Sequence, residues 1–152
     1  DIGLSMVVET NNFANQNTAM ERIIYFINNM IQDIIFVDAT DIETLKKYKL
    51  ADLTVCEIPG QPHDQIVGMV ILSKLNSIME GNLYITDMIL GSSLSDGVRY
   101  QIDAETTNEI LYGNYWFNKA TLSVNDHNNQ KVVSLFANSE WDELGLSWEK
   151  EG

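Results

Sequence analysis

Residues 62–90, PHDQIVGMVILSKLNSIMEGNLYITDMIL, contain a change of hydrophobic period that decides the fold class. In the first part of this stretch, apolar residues cover most of a helical circumference, which is typical of a buried helix. Pro62 suits a first helical turn and Gly81 suits the position just after a helix, so we predict a central helix over residues 62–80. Over residues 82–90 apolar and polar residues alternate, which predicts a strand.

Gly68 lies inside the predicted central helix. A glycine there is destabilising by about 1 kcal/mol relative to alanine. Close packing of the helix on a sheet is the natural reason to keep it, because any side chain would then lack space. We therefore expect a sheet directly against Gly68.

The rest of the chain alternates between predicted strands and helices. Before the central helix we predict strands over 2–9, 33–38 and 53–58, and helices over 19–31 and 41–48. After it we predict a hairpin of strands 82–90 and 98–103, a helical turn over 106–112, and a second hairpin of strands 121–124 and 131–136. The strand over 33–38 is apolar enough to be central. The order β-α-β-α-β-α-β-β-β-β predicts an α+β fold, with a mostly antiparallel sheet and two or three helices packed on one face. The length of 152 residues predicts a single domain over 1–152.

The chain is strongly acidic, with 22 acidic and 9 basic residues and a formal net charge of −13. Its only basic cluster, Lys46, Lys47 and Lys49, is flanked by carboxylates. Direct binding of nucleic acid or of an anionic membrane is therefore disfavoured. A protein with a basic surface, or a divalent cation, would be attracted.

Cys56 is the only cysteine, which excludes an internal disulfide framework and a cysteine-based zinc site. Its neighbours are typical of a strand, so we predict a structural thiol rather than a nucleophile. No apolar run approaches the roughly 20 residues that span a bilayer. The first residues lack the pattern of a signal peptide, and we expect a cytoplasmic protein.

No pattern in the chain points strongly to catalysis. His63 and Asp64 are neighbours at the start of a predicted helix and do not face each other, so capping explains them better than a catalytic pair. Asp126 and His127 lie in a predicted polar turn. We predict no catalytic residue, no metal ligand and no cofactor, and the sequence favours a non-enzymatic role.

Two aromatic segments are candidates for binding a partner. One contains Tyr115 and Trp116, and the other is acidic as well as aromatic and contains Trp141, Asp142, Glu143 and Trp148. Tyrosine and tryptophan supply much of the binding energy at protein interfaces, and acidic neighbours would complement a basic partner. The competing interpretation is that these aromatic residues fold back into the core.

The stretch from Pro59 to Tyr100, together with WDELGLSW at 141–148, resembles small uncharacterised proteins of tailed bacteriophages. The resemblance implies a phage-encoded protein that acts on host machinery or sits in the virion. The cytoplasm would then be that of the host. It implies no catalytic residues.

Three functions follow as hypotheses. The leading one is a non-enzymatic, acidic protein-binding domain that inhibits or neutralises a basic partner, as inhibitors, antitoxins and immunity proteins do. The second is a virion or assembly component, which predicts homo-oligomers with large apolar interfaces. The third is a hydrolase that uses a divalent metal and carboxylates such as Asp38, Asp64 or Asp87.

Overall fold

The computed structural model describes residues 2–8, 11–93, 96–124 and 140–150, and it confirms the α+β class. The elements in chain order are β1 Ile2–Val8, α1 Phe13–Tyr25, β2 Ile35–Asp38, α2 Ile42–Leu50, β3 Val55–Ile58, α3 Asp64–Met79, β4 Leu83–Leu90, β5 Tyr100–Asp103 and α4 Ala104–Ile110. A π-helical turn, Phe26–Met30, continues α1, and a 3-10 turn covers Trp116–Asn118.

Three strands form an antiparallel sheet in the order β1-β4-β5. The predicted hairpin of β4 and β5 is confirmed, with Leu90 opposite Tyr100 and Asp87 opposite Asp103. The inward residues of β4 are buried under α3, and α1 packs against α3 from the other side. The central helix predicted from the sequence therefore lies in the middle of the core.

The prediction for Gly68 is confirmed. Its position on α3 faces β4 and β5 so closely that an added Cβ would overlap Cδ1 of Ile102 and lie 3.2 Å from Cδ2 of Leu90. Side chains of the sheet thus fill the space that a side chain at position 68 would need.

Two predictions about strands are wrong. The segment 33–38 is not a central strand, because β2 covers only Ile35–Asp38 and, in the described part of the chain, pairs only with β3, in parallel. The segment 121–124 is not a strand. Two of its backbone carbonyls accept hydrogen bonds from side chains instead. The carbonyl of Thr121 accepts from the ammonium of Lys74, and the carbonyl of Val124 accepts from the thiol of Cys56. The predicted partner strand 131–136 lies outside the described residues, as do Asp126 and His127.

Helix α1 begins at Phe13 rather than at residue 19, where the apolar period starts. The side chain of Asn12 accepts a hydrogen bond from the backbone N–H of Asn15 at 3.1 Å. This cap satisfies one of the free donors of the first turn and extends the helix into an asparagine-rich segment.

The packing at Gly68 gives a prediction for stability. Gly68→Ala will lower the free energy of unfolding by about 1–2 kcal/mol, because overpacking outweighs the gain in helix propensity. Ile102→Val alone will lower it by about 0.5–1.5 kcal/mol. The double variant lacks the methyl group that the new Cβ meets, so its loss will be smaller than the sum of the two. Urea unfolding of the four proteins measures this coupling, and strict additivity would contradict the close contact.

Candidate functional site

The structure places Trp116 and Trp141 in the core, where they are 3% and 2% exposed. The indole N–H of Trp116 donates to the carbonyl of Glu57 at 2.9 Å, and that of Trp141 donates to the carbonyl of Ala120 at 2.7 Å. Rings buried in this way offer no surface to a partner. For these two residues the structure agrees with the competing interpretation, that they fold into the core.

The other predicted partner-binding residues lie nearer the surface. Tyr115 is partly exposed and stacks on Phe117, with ring centroids 4.9 Å apart. Asp142 and Glu143 are exposed, and Asp142 accepts a hydrogen bond from Ser147. Trp148 is half-buried, and its indole N–H donates to Glu80 at 2.6 Å.

Arg22 holds the C-terminal aromatic segment in place. Its guanidinium lies between two rings, 4.5 Å from the centroid of Trp141 and 3.9 Å from that of Trp148. It donates to the carbonyls of Leu146 and Ile78 and pairs with Glu80 at 3.0 Å. Burial lowers the pKa of Arg22, while the charge of Glu80 acts in the opposite direction. These contacts explain the segment as part of the fold.

A groove between β4 and α4 is the strongest candidate for a binding site. Its volume is about 780 Å³, which is within the usual range of ligand pockets. We call it the acidic groove, and its lining residues are Tyr84, Thr86, Asp103, Ala104, Glu105, Asn108, Glu109 and Tyr112.

Two hydrogen bonds fix the shape of the acidic groove. Asp103 caps α4 by accepting from the backbone N–H of Thr106 at 2.7 Å, so the helix starts directly after β5. Asn108 on α4 donates to the hydroxyl of Tyr84 on β4 at 3.1 Å, which joins the two walls. The hydrogen bonds from Thr106 lower the pKa of Asp103 and keep this carboxylate ionised at neutral pH.

The acidic groove carries negative charge and an unusually exposed ring. It has three carboxylates, those of Asp103, Glu105 and Glu109, and among its described lining residues none is basic. Asp87 lies directly opposite Asp103 in the sheet, an arrangement of like charges that is destabilising. Tyr112 is 88% exposed. Such a groove is suited to binding a cationic group between carboxylates and aromatic rings.

A second hollow adjoins the acidic groove. Its volume is about 540 Å³, and it shares Asn108 and Tyr112 with the acidic groove. The remaining lining residues are uncharged: Leu111, Gly113, Asn114 and Asn118. The combined surface is therefore charged at one end and neutral at the other.

The acidic groove is not evident from the sequence alone. A helix was expected over 106–112, and α4 lies two residues earlier, at Ala104–Ile110. Tyr112 is in an aromatic cluster, YGNYWF, at 112–117. The sequence does not show that Tyr84 lies against α4. The signal it did contain was a tyrosine, Tyr112, close to the acidic residues Glu105 and Glu109.

Two of the three carboxylates considered for a metal-dependent hydrolase accept hydrogen bonds from neighbouring hydroxyl groups. Asp38 accepts from the hydroxyl of Thr40 at 2.9 Å, and Asp64 accepts from that of Ser92 at 2.7 Å. Within residues 2–8, 11–93, 96–124 and 140–150, no group of three or more His, Cys, Asp or Glu side chains could hold a metal ion. His63 is at the N-cap of α3, and its side chain makes no capping hydrogen bond.

Cys56 is fully buried and donates to the carbonyl of Val124 at 3.3 Å. Burial raises the pKa of this thiol to about 12, although the nearby charge of Lys74 acts in the opposite direction. At neutral pH the thiol is protonated, which agrees with the predicted structural role.

In comparisons with known proteins, no protein-family model matched the chain, and neither a curated protein nor a solved structure gave a match. Of the described helices, none has both the length and the apolar character that crossing a bilayer requires. Because no relative indicates a function, the function is inferred from the residues that line the acidic groove.

Proposed function

We propose that the chain is a non-enzymatic, acidic protein-binding domain whose partner presents a basic surface. The observation that carries this proposal is the acidic groove, in which three carboxylates and two tyrosines line one cleft. The domain would act by occupying the basic surface, as an inhibitor or an immunity protein does. The resemblance to phage proteins makes the host cytoplasm the place where we propose that it acts.

The charge of the whole chain supports the same function. A net charge of −13 would speed the approach of a basic protein, and the effect would weaken as salt rises. The charge that attracts a basic protein is spread over the surface, whereas the acidic groove provides a concave site into which a group of the partner can fit. Affinity would depend on the groove, because exposed aromatic rings contribute most at interfaces.

The test compares three forms of the protein as bait in a bacterial lysate, followed by mass spectrometry. The forms are the wild type, a groove variant with Glu105→Gln and Glu109→Gln, and a control variant with Glu21→Gln and Glu43→Gln. The control changes the net charge equally at exposed positions on α1 and α2. We expect a basic protein to be retained by the wild type and the control and lost from the groove variant.

The retained protein must then bind in purified form. Its dissociation constant should rise at least about ten-fold for the groove variant and stay unchanged for the control, because lost charge pairs are worth more than about 1.4 kcal/mol. Equal binding to all three forms would exclude the groove as the contact. The absence of any basic partner would contradict the proposed function.

A virion or assembly component is the second candidate function, and one observation favours it. The residues of β1 carry no charge, Ile2, Met6 and Val7 are exposed, and in the described part of the chain β1 has a strand neighbour, β4, on one side only. Exposed, uncharged edge strands are sites of pairing between chains. Sedimentation of the wild type and of Met6→Lys separates the two functions. A stable wild-type oligomer that dissociates in the Met6→Lys variant would favour the role of a virion or assembly component.

A further inference from the structure

We propose that the acidic groove recognises an arginine side chain within a short basic segment of the partner. This inference rests on the proposed function, since it specifies which basic group the partner presents. It concerns the chemistry of the groove, and it can fail while the proposed function stands.

The groups that line the acidic groove match a guanidinium better than an ammonium. A guanidinium is planar, stacks on aromatic faces and donates two parallel hydrogen bonds to a carboxylate. The acidic groove offers the rings of Tyr84 and Tyr112 together with three carboxylates. A lysine ammonium is a compact, strongly hydrated charge that gains less from the rings.

The two tyrosines differ in a way that suits such a ligand. The hydroxyl of Tyr84 is held by Asn108, so this ring forms a fixed part of the groove wall. Tyr112 is almost fully exposed and lines both the acidic groove and the neutral hollow. The ring of Tyr112 does not pack in the core, so it can cover a bound planar cation.

Among the described residues, the buried cations Arg22 and Lys74 are held by partly different groups. Arg22 lies 4.5 Å and 3.9 Å from two ring centroids, pairs with the carboxylate of Glu80 and donates to two backbone carbonyls. Lys74 donates to three backbone carbonyls, and its ammonium lies farther from the nearest ring centroids, at 6.0 Å and 5.8 Å. Two close rings and a paired carboxylate hold the arginine, and the acidic groove presents the same kinds of group.

The neutral hollow indicates what accompanies the arginine. The acidic groove and the hollow share Tyr112, so a peptide that fills one can continue past this ring into the other. The residues that the structure describes around the hollow are asparagines, a glycine, a leucine and Tyr112, and none of them carries a charge to bind a second cation. We therefore expect an arginine flanked on one side by small, uncharged residues.

The experiment measures binding of three labelled peptides by fluorescence anisotropy at low salt. The first peptide is Gly-Ser-Gly-Arg-Gly-Ser-Gly, the second has lysine in place of arginine, and the third has citrulline, which keeps the shape and removes the charge. We expect the arginine peptide to bind about five-fold tighter than the lysine peptide, which is the size of a cation–π contribution. The citrulline peptide should show no measurable binding.

Variants of the whole protein complete the test. Tyr112→Ala should weaken the arginine peptide about five-fold and leave the lysine peptide nearly unchanged, since the ring favours the planar cation. The matched control is Phe13→Ala, which removes another highly exposed ring, at the start of α1. It should change neither affinity.

The possible failures are distinguishable. Equal affinity for arginine and lysine, lost in Glu105→Gln/Glu109→Gln, would overturn the arginine inference and leave a groove for basic partners. Equal affinity for the citrulline peptide would overturn both. If no peptide binds while the purified lysate partner still requires Glu105 and Glu109, the arginine inference is overturned and the proposed function stands.

Discussion

Replacing Lys74 with methionine is expected to lower the free energy of unfolding by about 3–5 kcal/mol, because buried backbone carbonyls lose a charged donor at roughly 1–3 kcal/mol each. Lys74 is on α3, 0% exposed, and its ammonium donates to the carbonyls of Trp116 at 3.2 Å, of Lys119 at 2.8 Å and of Thr121. Methionine fills similar space and supplies no donor, so these carbonyls lose their shared partner inside the protein. Urea unfolding followed by circular dichroism measures the loss.

The control for Lys74 is Lys46→Met, an equal change at an exposed position of α2. It should alter the free energy of unfolding by less than about 0.5 kcal/mol. A loss below about 1 kcal/mol for Lys74→Met would show that the segment 116–121 does not depend on the ammonium.

Replacing Arg22 with alanine should also lower the free energy of unfolding by about 3–5 kcal/mol. The change leaves the carboxylate of Glu80 without its cation, removes the donor to Leu146 and leaves a void between Trp141 and Trp148. Arg22→Lys should recover only part of the loss, because lysine cannot stack between two rings while donating to a carbonyl and a carboxylate. Chemical denaturation of the three proteins gives the values.

Tryptophan fluorescence distinguishes local from global damage in the Arg22 variants. If Arg22 anchors the C-terminal segment, the emission will shift to longer wavelength below the main unfolding transition, because Trp148 and Trp141 become hydrated first. Glu21→Gln, one position earlier on α1 and exposed, is the control and should leave the emission unchanged. An Arg22→Ala protein with wild-type emission and stability would refute the anchoring role.

The local elements could be predicted because their causes are local. The apolar pattern and Gly81 located α3 to within two residues, although Pro62 precedes the N-cap, His63, and is not in the first helical turn as predicted. The loss of helix propensity at Gly68 correctly indicated close packing on the sheet. Asn12 was a recognisable cap, but the apolar period that we followed starts later, so the first turns of α1 were missed.

The long-range contacts could not be predicted in the same way. Arg22 and Glu80 are 58 positions apart, and no pattern in either segment points to the other. The acidic groove could not be predicted for the same reason, since Tyr84 and Asn108 meet only after α4 folds against β4. Lys74 gave a second signal in the sequence, because a lysine within an almost wholly apolar helix must find acceptors when it is buried.

The long separation in sequence between Arg22 and Leu146 has a consequence for protein synthesis. The acceptor of Arg22 at Leu146 lies 124 positions later, which corresponds to a delay of about 6–25 s at typical rates of translation. During this interval the residues of α1 have been made, but the guanidinium of Arg22 lacks the carbonyl of Leu146 and the rings of Trp141 and Trp148. The helix therefore reaches its full burial only after the segment 141–148 has been made.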